Sequence, residues 1–455
     1  MTGDDRHGDH RHGHGRPGED RHAAGPGAAE HGTGAGHGSA SGHRSVPEHR
    51  ARLSALLAHL AAREPVTVSL EEAQGAALAE DLVAPGSLPR FDNSQMDGFA
   101  VSSADFDRPP STPSGASTPS AASTAFTVAA AIAAGDTPEA LAPGHAAPIM
   151  TGAMLPEGAD AVVPVEQAHP RAYPGPGERV ELPAAEPGTF VRRAGSDVEG
   201  GAVVLRAGTV LGPRQLGLAA GLGIGRVRVR PRLSVAVVST GAELAEPGDG
   251  LAPGQIHDAN TALLAAALRE AGITARTVAV RTDDPAVLLG ELGSLTAGSG
   301  RPDAVITTGG VSQGAFEATK LALGGRDVEF AHLAMQPGGP QGLGTFNGTP
   351  LIAFPGNPVS CWISWEILLR PVLSALLGAP APRRRLRVPL AEPLSSPQGR
   401  LQVRRARLLP DGRAELVGGP GSHLLGALAA SDALVLVPED VTHLPAGADV
   451  EVWLT

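Results

Sequence analysis

DAVITTGGVSQGAFEATK, residues 303–320, joins an apolar, β-branched run to a segment of helical character through a stretch rich in glycine. β-branched runs are typical of strands, and glycine between a strand and a helix indicates a tight turn or a loop that approaches a ligand closely. Glu317 and Lys320 lie three residues apart at its far end. Two interpretations are open: a loop that holds an anion beside an acidic group, or a connection with a solvated salt bridge.

The same order of strand and helix recurs on both sides of this stretch. Apolar runs predict four strands, within residues 233–241, 274–284, 303–310 and 351–357. Segments with helical spacing of apolar residues follow them, within residues 260–273, 286–295, 318–323 and 359–377. Strands that alternate with helices are typical of a parallel sheet covered on both faces. The sequence therefore predicts a central α/β domain.

Open parallel sheets bind ligands beyond the carboxyl ends of their strands. In this chain those ends carry STGAEL (239–244), RTDDP (281–285), TTGGVSQGAFE (307–317) and FPGNPVS (354–360). Gly309, Gly310 and Gly314 would let backbone N–H groups approach an anion, and the helix that starts near Val359 would direct its positive end at one. Glycine and proline are common in any strand-to-helix turn, but four such segments, three of them with acids, favour a binding site.

Acidic residues on three of these segments suggest a metal ion. Carboxylates that converge on a phosphate repel it and each other unless a cation lies between them, and Mg²⁺ is usually held by one or two carboxylates plus substrate phosphate. We expect Glu243, Asp283 and Glu317 to surround a phosphate bridged by Mg²⁺, with Lys320 paired to that phosphate.

Length and composition exclude several classes of protein. A chain of 455 residues is expected to form two to four domains. Only 3% of the residues are aromatic and the formal net charge is −11, which argues against a nucleic-acid partner. The single cysteine, Cys361, excludes an intrachain disulfide and is expected to be a buried structural thiol. Since no apolar run reaches the roughly 18 residues of a membrane span, we expect a cytoplasmic protein without a membrane partner.

Other segments have a less specific composition. Residues 1–44 are rich in histidine and glycine and are expected to be disordered. Their clustered histidines could bind a divalent metal ion, but incidental affinity is favoured over a role in storing metal. Residues 107–124 are expected to form a surface loop. RFDNSQMDGFAV (90–101), PIMTGAMLPEGADAVVPVEQ (148–167) and RRAGSDVEGG (192–201) hold clustered polar residues, for which composition alone favours turns.

Those clusters carry a family resemblance that extends from about Ser45 to the C-terminus. FDNSQMDGFAV (91–101) resembles the FDNSAMDGYAV signature of the molybdopterin molybdenumtransferases, called MoeA in bacteria, to which the E domain of gephyrin is related. IMTGAMLPEGADAVV (149–163) resembles a second signature of that family. RRAGSDVEGG, STGAEL, GQIHDAN, the TDD turn, TGGVSQG and LIAFPGNPVS follow in the family's order. Strings of this length are highly specific.

The resemblance implies a multidomain fold of α/β and β regions. After the disordered tail, 1–44, it implies a linker or dimerisation domain (45–84 and 194–231), an inserted α+β domain (85–193), a molybdopterin-binding α/β domain (232–380) and a C-terminal small β-barrel (381–455). It also implies a homodimer whose site lies between subunits. Contacts with other molybdenum-cofactor assembly proteins are a further expectation.

The resemblance also implies the reaction and its residues. The family inserts molybdenum from molybdate into adenylated molybdopterin and releases AMP with the help of Mg²⁺. Matched by motif, its catalytic and metal-binding positions fall on Asp97, Thr151, Glu243, Asp283, Glu317 and Lys320. Its cofactor-binding positions fall on Arg192, Asp197, Gly309, Gly310, Ser312, Gly314, Pro355, Gly356, Asn357, Pro358 and Ser360.

Departures from the family pattern leave alternatives open. Glu317 stands where the family usually has aspartate, and His332, Gln336 and Gly339 stand where many members have lysines. An active molybdenumtransferase is favoured over a non-catalytic molybdopterin-binding scaffold, and adenylylation of molybdopterin is disfavoured by the extra domains. If the lost charge matters, a Gly339→Lys substitution is expected to raise affinity for the pterin. The sequence does not distinguish molybdate from tungstate.

Overall fold

The computed structural model describes residues 42–107, 123–311 and 318–455. The predicted disorder of the tail therefore falls outside the described residues up to Ser41, and so does most of the predicted loop 107–124. Ser312, Gly314 and Glu317 fall outside them as well. Arg44, assigned from sequence to the tail, forms a parallel bridge with Leu333, so regular structure begins slightly before the predicted boundary.

The central sheet has six strands, and the four predicted from sequence form its parallel part. In order across the sheet these are Thr274–Val280, Ser234–Thr240, Ala304–Thr308 and Thr349–Phe354. The last three are almost entirely buried, as expected of β-branched strands covered by helices on both faces. The predicted α/β architecture is confirmed.

A hairpin completes this sheet and was not predicted. The strands Val328–His332 and Pro340–Phe346 pair antiparallel, and the second also pairs antiparallel with Thr349–Phe354. Four glycines and two prolines between Val328 and Phe346 give this stretch the composition of a loop. Pairing with a buried neighbouring strand overrides that local preference.

Helices cover both faces of the sheet. Ala259–Glu270 and Pro358–Leu377 pack on one face, and Pro285–Thr296 and Ala318–Leu323 pack on the other. Asp258 and Asp284 cap two of these helices, because their carboxylates accept hydrogen bonds from the amides of Thr261 (3.0 Å) and Ala286 (2.8 Å).

The Pro358–Leu377 helix is the long core helix of this region. Its parts are the α-helix Pro358–Ile363, a π-helical turn Ser364–Leu369 and the α-helix Arg370–Leu377. By length and composition alone it could cross a membrane, contrary to the prediction that no segment is long enough, but most of it is buried inside the protein. It is therefore a core helix.

The N-terminal helix Val46–Leu57 packs against this long helix. Leu53 and Leu57 are buried in the same apolar cluster as Trp365 and Leu373. Ser45 caps the start of this helix, because its Oγ accepts a hydrogen bond from the Glu48 amide (3.2 Å). A short 3₁₀ helix, Ala58–Ala62, follows.

Two-stranded pairs and a helix make up the next region. Val66–Ser69 pairs antiparallel with Arg226–Val229, Leu82–Val83 pairs antiparallel with Val203–Leu205, and the helix is Pro213–Gly221.

The chain between Leu82–Val83 and Val203–Leu205 contains a five-stranded sheet. Its strands, in order across the sheet, are Ala161–Pro164, Gly98–Val101, His145–Ile149, Ser123–Val128 and Arg179–Pro183. Asn93–Ser94 pairs separately with Val191–Arg192, and the 3₁₀ helices are Ser103–Asp107 and Val165–Gln167.

The C-terminal region is β-rich, as predicted. Its sheet contains Met335–Gln336 from the hairpin turn, then Leu401–Leu408, Ala433–Val437, Asp449–Leu454 and Arg385–Pro389, with Ala414–Leu416 beside Leu401–Leu408. Leu394–Ser395 pairs with His443–Leu444, and the helix is Leu425–Ala429. The Met335–Gln336 pairing joins this region directly to the α/β region.

Two other short strands, Leu244–Ala245 and Ile256–His257, pair parallel beside the central sheet.

Glu366, fully buried in the π-helical turn, accepts hydrogen bonds from Arg383 of the following region (3.0 and 2.8 Å). This buried, bidentate pair ties the core helix to the start of the C-terminal region.

Candidate active site

A cleft of about 800 Å³ lies at the carboxyl ends of the four parallel strands. Each strand is followed by residues that line it: the Gly241–Leu244 turn, Asp283, the loop that begins at Gly309, and Pro355–Pro358. The carboxyl ends of parallel strands meet at one edge of a sheet. The four segments proposed from sequence are therefore brought together.

Glycines in this cleft are required by close backbone contacts. Gly309 and Gly310 have φ values of +100° and +64°, which side chains rarely adopt. A Cβ atom on Gly309 would lie 2.5 Å from the Thr240 carbonyl oxygen, and one on Gly310 would lie 2.6 Å from the Thr319 nitrogen. The floor of the cleft is consequently made of backbone.

Glu243 and Asp283 place two carboxylates at the same turn. Asp283 Oδ1 accepts a hydrogen bond from the Ala242 amide (3.3 Å), and the Glu243 side chain bends back over Gly241. Both side chains are exposed to the cleft, and neither forms an ion pair with a residue that the structure describes. Two carboxylates without a protein cation are a donor set that suits a hard divalent cation.

Buried polar residues support the floor of the cleft. Asn260 Nδ2 donates to Thr308 Oγ1 (2.8 Å) and to the Gly356 carbonyl oxygen (2.6 Å), and Ser239 Oγ donates to Asp258 Oδ2 (2.5 Å). Asp258 and Asn260 belong to the motif GQIHDAN, from which no role for either residue is predicted. The helix-capping position of Asp258 was a signal that could have identified it.

The residues predicted to bind the cofactor just after the last parallel strand, Thr349–Phe354, also line the cleft. Pro355, Gly356, Asn357, Pro358 and Ser360 all line it. Asn357 Nδ2 donates to Ser422 Oγ (3.0 Å), so this loop contacts the C-terminal region. Cys361, next to Ser360, is fully buried, and burial raises the pKa of its thiol to about 12. The prediction of a structural thiol is confirmed.

A second part of the cleft lining, here called its second wall, comes from segments distant in sequence. His332, Gln336 and Gly339 line it from the hairpin, and Arg400 and the loop Pro420–His423 line it from the C-terminal region. Arg400 is the cation that sequence reasoning missed, because nothing local in the sequence places it near the sheet edge. A Cβ atom on Gly339 would lie 2.6 Å from His332 Nδ1. A lysine at this position would therefore have to displace the His332 ring, which opposes the expected gain in affinity from Gly339→Lys.

Lys320 lies beside the cleft rather than among the described residues that line it. Its backbone amide donates to the Gly310 carbonyl oxygen (3.1 Å), and its ammonium group lies 6.0 Å from the centroid of the Phe330 ring. Glu317, Ser312 and Gly314 precede it outside the described residues. Among the described residues no cluster of three or more metal-binding side chains occurs.

Four predicted residues lie elsewhere in the chain. Thr151 donates to Asp97 Oδ1 from its amide (2.6 Å) and from its hydroxyl (2.8 Å), and these bonds hold the pKa of the Asp97 carboxyl below its usual range. Arg192 pairs in a short ladder with Asn93, and the Asp197 amide donates to the Leu88 carbonyl oxygen (3.0 Å). None of the four lines the cleft within the described part of one chain.

Family models match almost the whole described chain. Residues 44–223 match the MoeA N-terminal region (domain I and II), residues 236–375 match a "probable molybdopterin binding domain", and residues 387–455 match the MoeA C-terminal region (domain IV). The cleft is built on the second of these with one wall from the third.

Curated relatives and solved structures agree. The chain is 44% identical over 402 residues to molybdopterin molybdenumtransferase 2 of Mycobacterium tuberculosis, covering 86% of this chain and 95% of the relative. It is 33% identical over 393 residues to the molybdopterin molybdenumtransferase of Haemophilus influenzae, covering 85% and 92%. A crystal structure of a MoeA protein from Pyrococcus horikoshii superposes with a TM-score of 0.70 at 26% identity, covering 90% of this chain and 99% of that one.

Proposed function

The chain belongs to the MoeA family of molybdopterin molybdenumtransferases and acts in molybdenum cofactor biosynthesis, and we propose that it inserts molybdenum from molybdate into adenylated molybdopterin with release of AMP. The observation that carries this proposal is the cleft, which is lined by a glycine-rich backbone loop, two carboxylates and an arginine. A pterin that carries phosphates and a molybdate dianion need anion-binding groups together with a means of neutralising charge.

Mg²⁺ fits the donors that the cleft offers. Glu243 and Asp283 would hold the ion, and substrate phosphate oxygens would complete its coordination, which is the usual manner of Mg²⁺ binding. When bound, the ion would neutralise charge on the phosphoanhydride that is cleaved. The protein residues would orient the substrate: Gly309 and Gly310 would allow its phosphates to approach the backbone, and Arg400 would bind an anionic oxygen. Glu317 and Lys320 stay predicted members of the site.

Two copies of the chain would complete the site. Asp97 and Thr151 form a fixed pair that lies apart from the cleft of its own chain, so a second copy would have to present them to it. Arg192 and Asp197 would come with them. The proposed homodimer would have two equivalent sites.

Three further expectations stay predictions: the domain boundaries, the cytoplasmic location and contacts with other cofactor-assembly proteins.

Release of AMP tests the proposed reaction. Purified protein would be incubated with adenylated molybdopterin, molybdate and Mg²⁺, and AMP would be followed by chromatography. We expect release that needs both molybdate and Mg²⁺ and that stops with EDTA. Tight pterin binding without AMP above the buffer control would instead support the non-catalytic scaffold.

Mixing two inactive variants tests the shared site. Asp97→Asn and Glu243→Gln should each lose nearly all activity alone. Random pairing should restore about a quarter of the wild-type rate, because half the dimers are mixed and each has one intact site. A mixture that stays inactive although mixed dimers form would place the whole site within one chain.

A further inference from the structure

His332 lies at the edge of the cleft, at the end of the Val328–His332 strand, and is half-buried. Its ring packs against the ring of His43, with 4.7 Å between centroids and 36° between planes. Arg400 lines the same wall. The imidazole therefore faces the cleft in a neighbourhood of other cationic or ionisable groups.

Gly339 makes room for this imidazole. A Cβ atom at Gly339 would lie 2.6 Å from His332 Nδ1, closer than real Cβ contacts allow, and 3.0 Å from His332 Nε2. The ring thus fills the space in which a side chain at position 339 would stand. The two residues act as a pair: the missing side chain at one permits the ring of the other.

The hydrogen bonding of His332 indicates which nitrogen carries its proton. Nδ1 lies 3.4 Å from the Leu333 carbonyl oxygen, which can only accept, so this contact favours the tautomer with its hydrogen on Nδ1. In the neutral ring Nε2 then has no hydrogen and offers a lone pair, which repels an anion. In that tautomer, protonation at Nε2 creates the N–H that can donate to an anionic oxygen.

The charged groups around His332 oppose that protonation in the free protein. Burial of the ring is the largest cause, and the charges of His43, Arg400 and Lys320 add to it. Together they lower the pKa of the imidazole below its ordinary value of 6.5. His43 reaches it from the segment before the first helix, Arg400 from the C-terminal region and Lys320 from the Ala318–Leu323 helix. No carboxylate in the described part of the chain forms an ion pair with it.

We propose that His332 binds an anionic group of the substrate as an imidazolium, so that substrate binding takes up one proton from solvent at Nε2. This inference rests on the proposed function for the identity of that anion, a phosphate or molybdate oxygen. The proton is gained only when a negative charge arrives to offset His43, Arg400 and Lys320. Affinity should therefore be highest at acidic pH and should fall as pH rises towards the pKa of the complex.

Nuclear magnetic resonance of histidine Cε1–H groups tests this directly. The His332 resonance, assigned by its absence in His332→Asn, would be titrated with and without sulfate, a tetrahedral ion that stays a dianion throughout this pH range. We expect sulfate to raise the pKa of His332 by about one unit, which corresponds to a tenfold difference in affinity between the protonated and neutral forms. His145, which also directs Nδ1 at a carbonyl oxygen (3.2 Å to that of Pro143) but lies outside the cleft, is the matched control.

Calorimetry with adenylated molybdopterin supplies the second measurement. Its phosphoanhydride does not titrate near neutral pH, so the heat measured in two buffers of different ionisation enthalpy counts protons taken up by the protein. We expect net uptake for the wild type and its loss in His332→Asn. Gly339→Ala, which should displace the ring without changing its chemistry, should lose the uptake too.

Two results would overturn the inference: an unchanged His332 pKa in the presence of sulfate, whether sulfate binds elsewhere or not at all, or equal proton uptake by the wild type and His332→Asn. Neither result touches the proposed function, because AMP release is measured separately. An inactive protein that still shows proton-linked binding would refute the proposed function and leave the role of His332 standing.

Discussion

The two walls of the cleft differ in how the chain builds them. The acidic wall, Glu243 and Asp283, follows directly from adjacent parallel strands and is positioned by backbone amides and glycines. The basic wall, His332 and Arg400, combines a hairpin with a region more than sixty residues further along the chain. The acidic wall is therefore fixed by local strand order, whereas the basic wall depends on the packing of two regions and can be changed by one substitution.

The largest expected effect is on the acidic wall. Glu243→Gln should lower the rate of AMP release by about 100-fold, on the order of what misplacing a catalytic group costs, and should weaken the dependence on Mg²⁺. The thermal midpoint should hardly change, since Glu243 is exposed. Glu246→Gln, which removes an exposed carboxylate paired with Arg281 just after the same turn, is the control. Equal losses in both variants would refute a special role for Glu243.

On the basic wall, Arg400→Gln should weaken binding of adenylated molybdopterin by about 10- to 100-fold, because a charge-assisted hydrogen bond contributes roughly 1.5–3 kcal/mol. The rate at saturating substrate should change much less. Arg407→Gln is the matched control, as Arg407 lies on the strand Leu401–Leu408 that follows Arg400 and donates to the Ala430 carbonyl oxygen (3.1 Å) outside the cleft. A large fall in the rate at saturating substrate, with unchanged affinity, would show that Arg400 acts in the reaction step and not in substrate binding.

A smaller effect tests how the basic wall is packed. Gly339→Lys should lower affinity a few-fold at pH 6.5, because the new side chain displaces His332 despite adding a positive charge. The double variant His332→Ala, Gly339→Lys should recover that affinity, since the small side chain vacates the space. Tighter binding by the single variant would show that charge outweighs the steric conflict.

The smallest effect is expected at the helix that begins between the two walls. Cys361→Ala should leave the rate of AMP release within about twofold and cost roughly 1 kcal/mol of stability from a small cavity. In the wild type, burial holds the pKa of the thiol at about 12, so alkylation by iodoacetamide at pH 8 should occur only after unfolding. Rapid modification of the folded protein would contradict a buried thiol.

Much of the fold was predictable because its signals are local. The four parallel strands are β-branched apolar runs, and their order along the chain implies helices between them. The acidic wall and the glycine loops follow from that order. The hairpin Val328–Phe346 was missed, because its glycines and prolines resemble a loop until a buried neighbour supplies hydrogen bonds.

By itself, the sequence determined the family, the α/β sheet, the cleft at its carboxyl edge and the carboxylates Glu243 and Asp283, since each depends on motifs or on periodicity along one stretch of chain. Only the tertiary structure decided that Arg400 faces the same cleft, that His332 occupies the space left by Gly339, and that the Asp97–Thr151 pair lies apart from it. Each of these three features depends on how segments far apart in sequence are positioned, which is set by the packing of regions rather than by any local pattern.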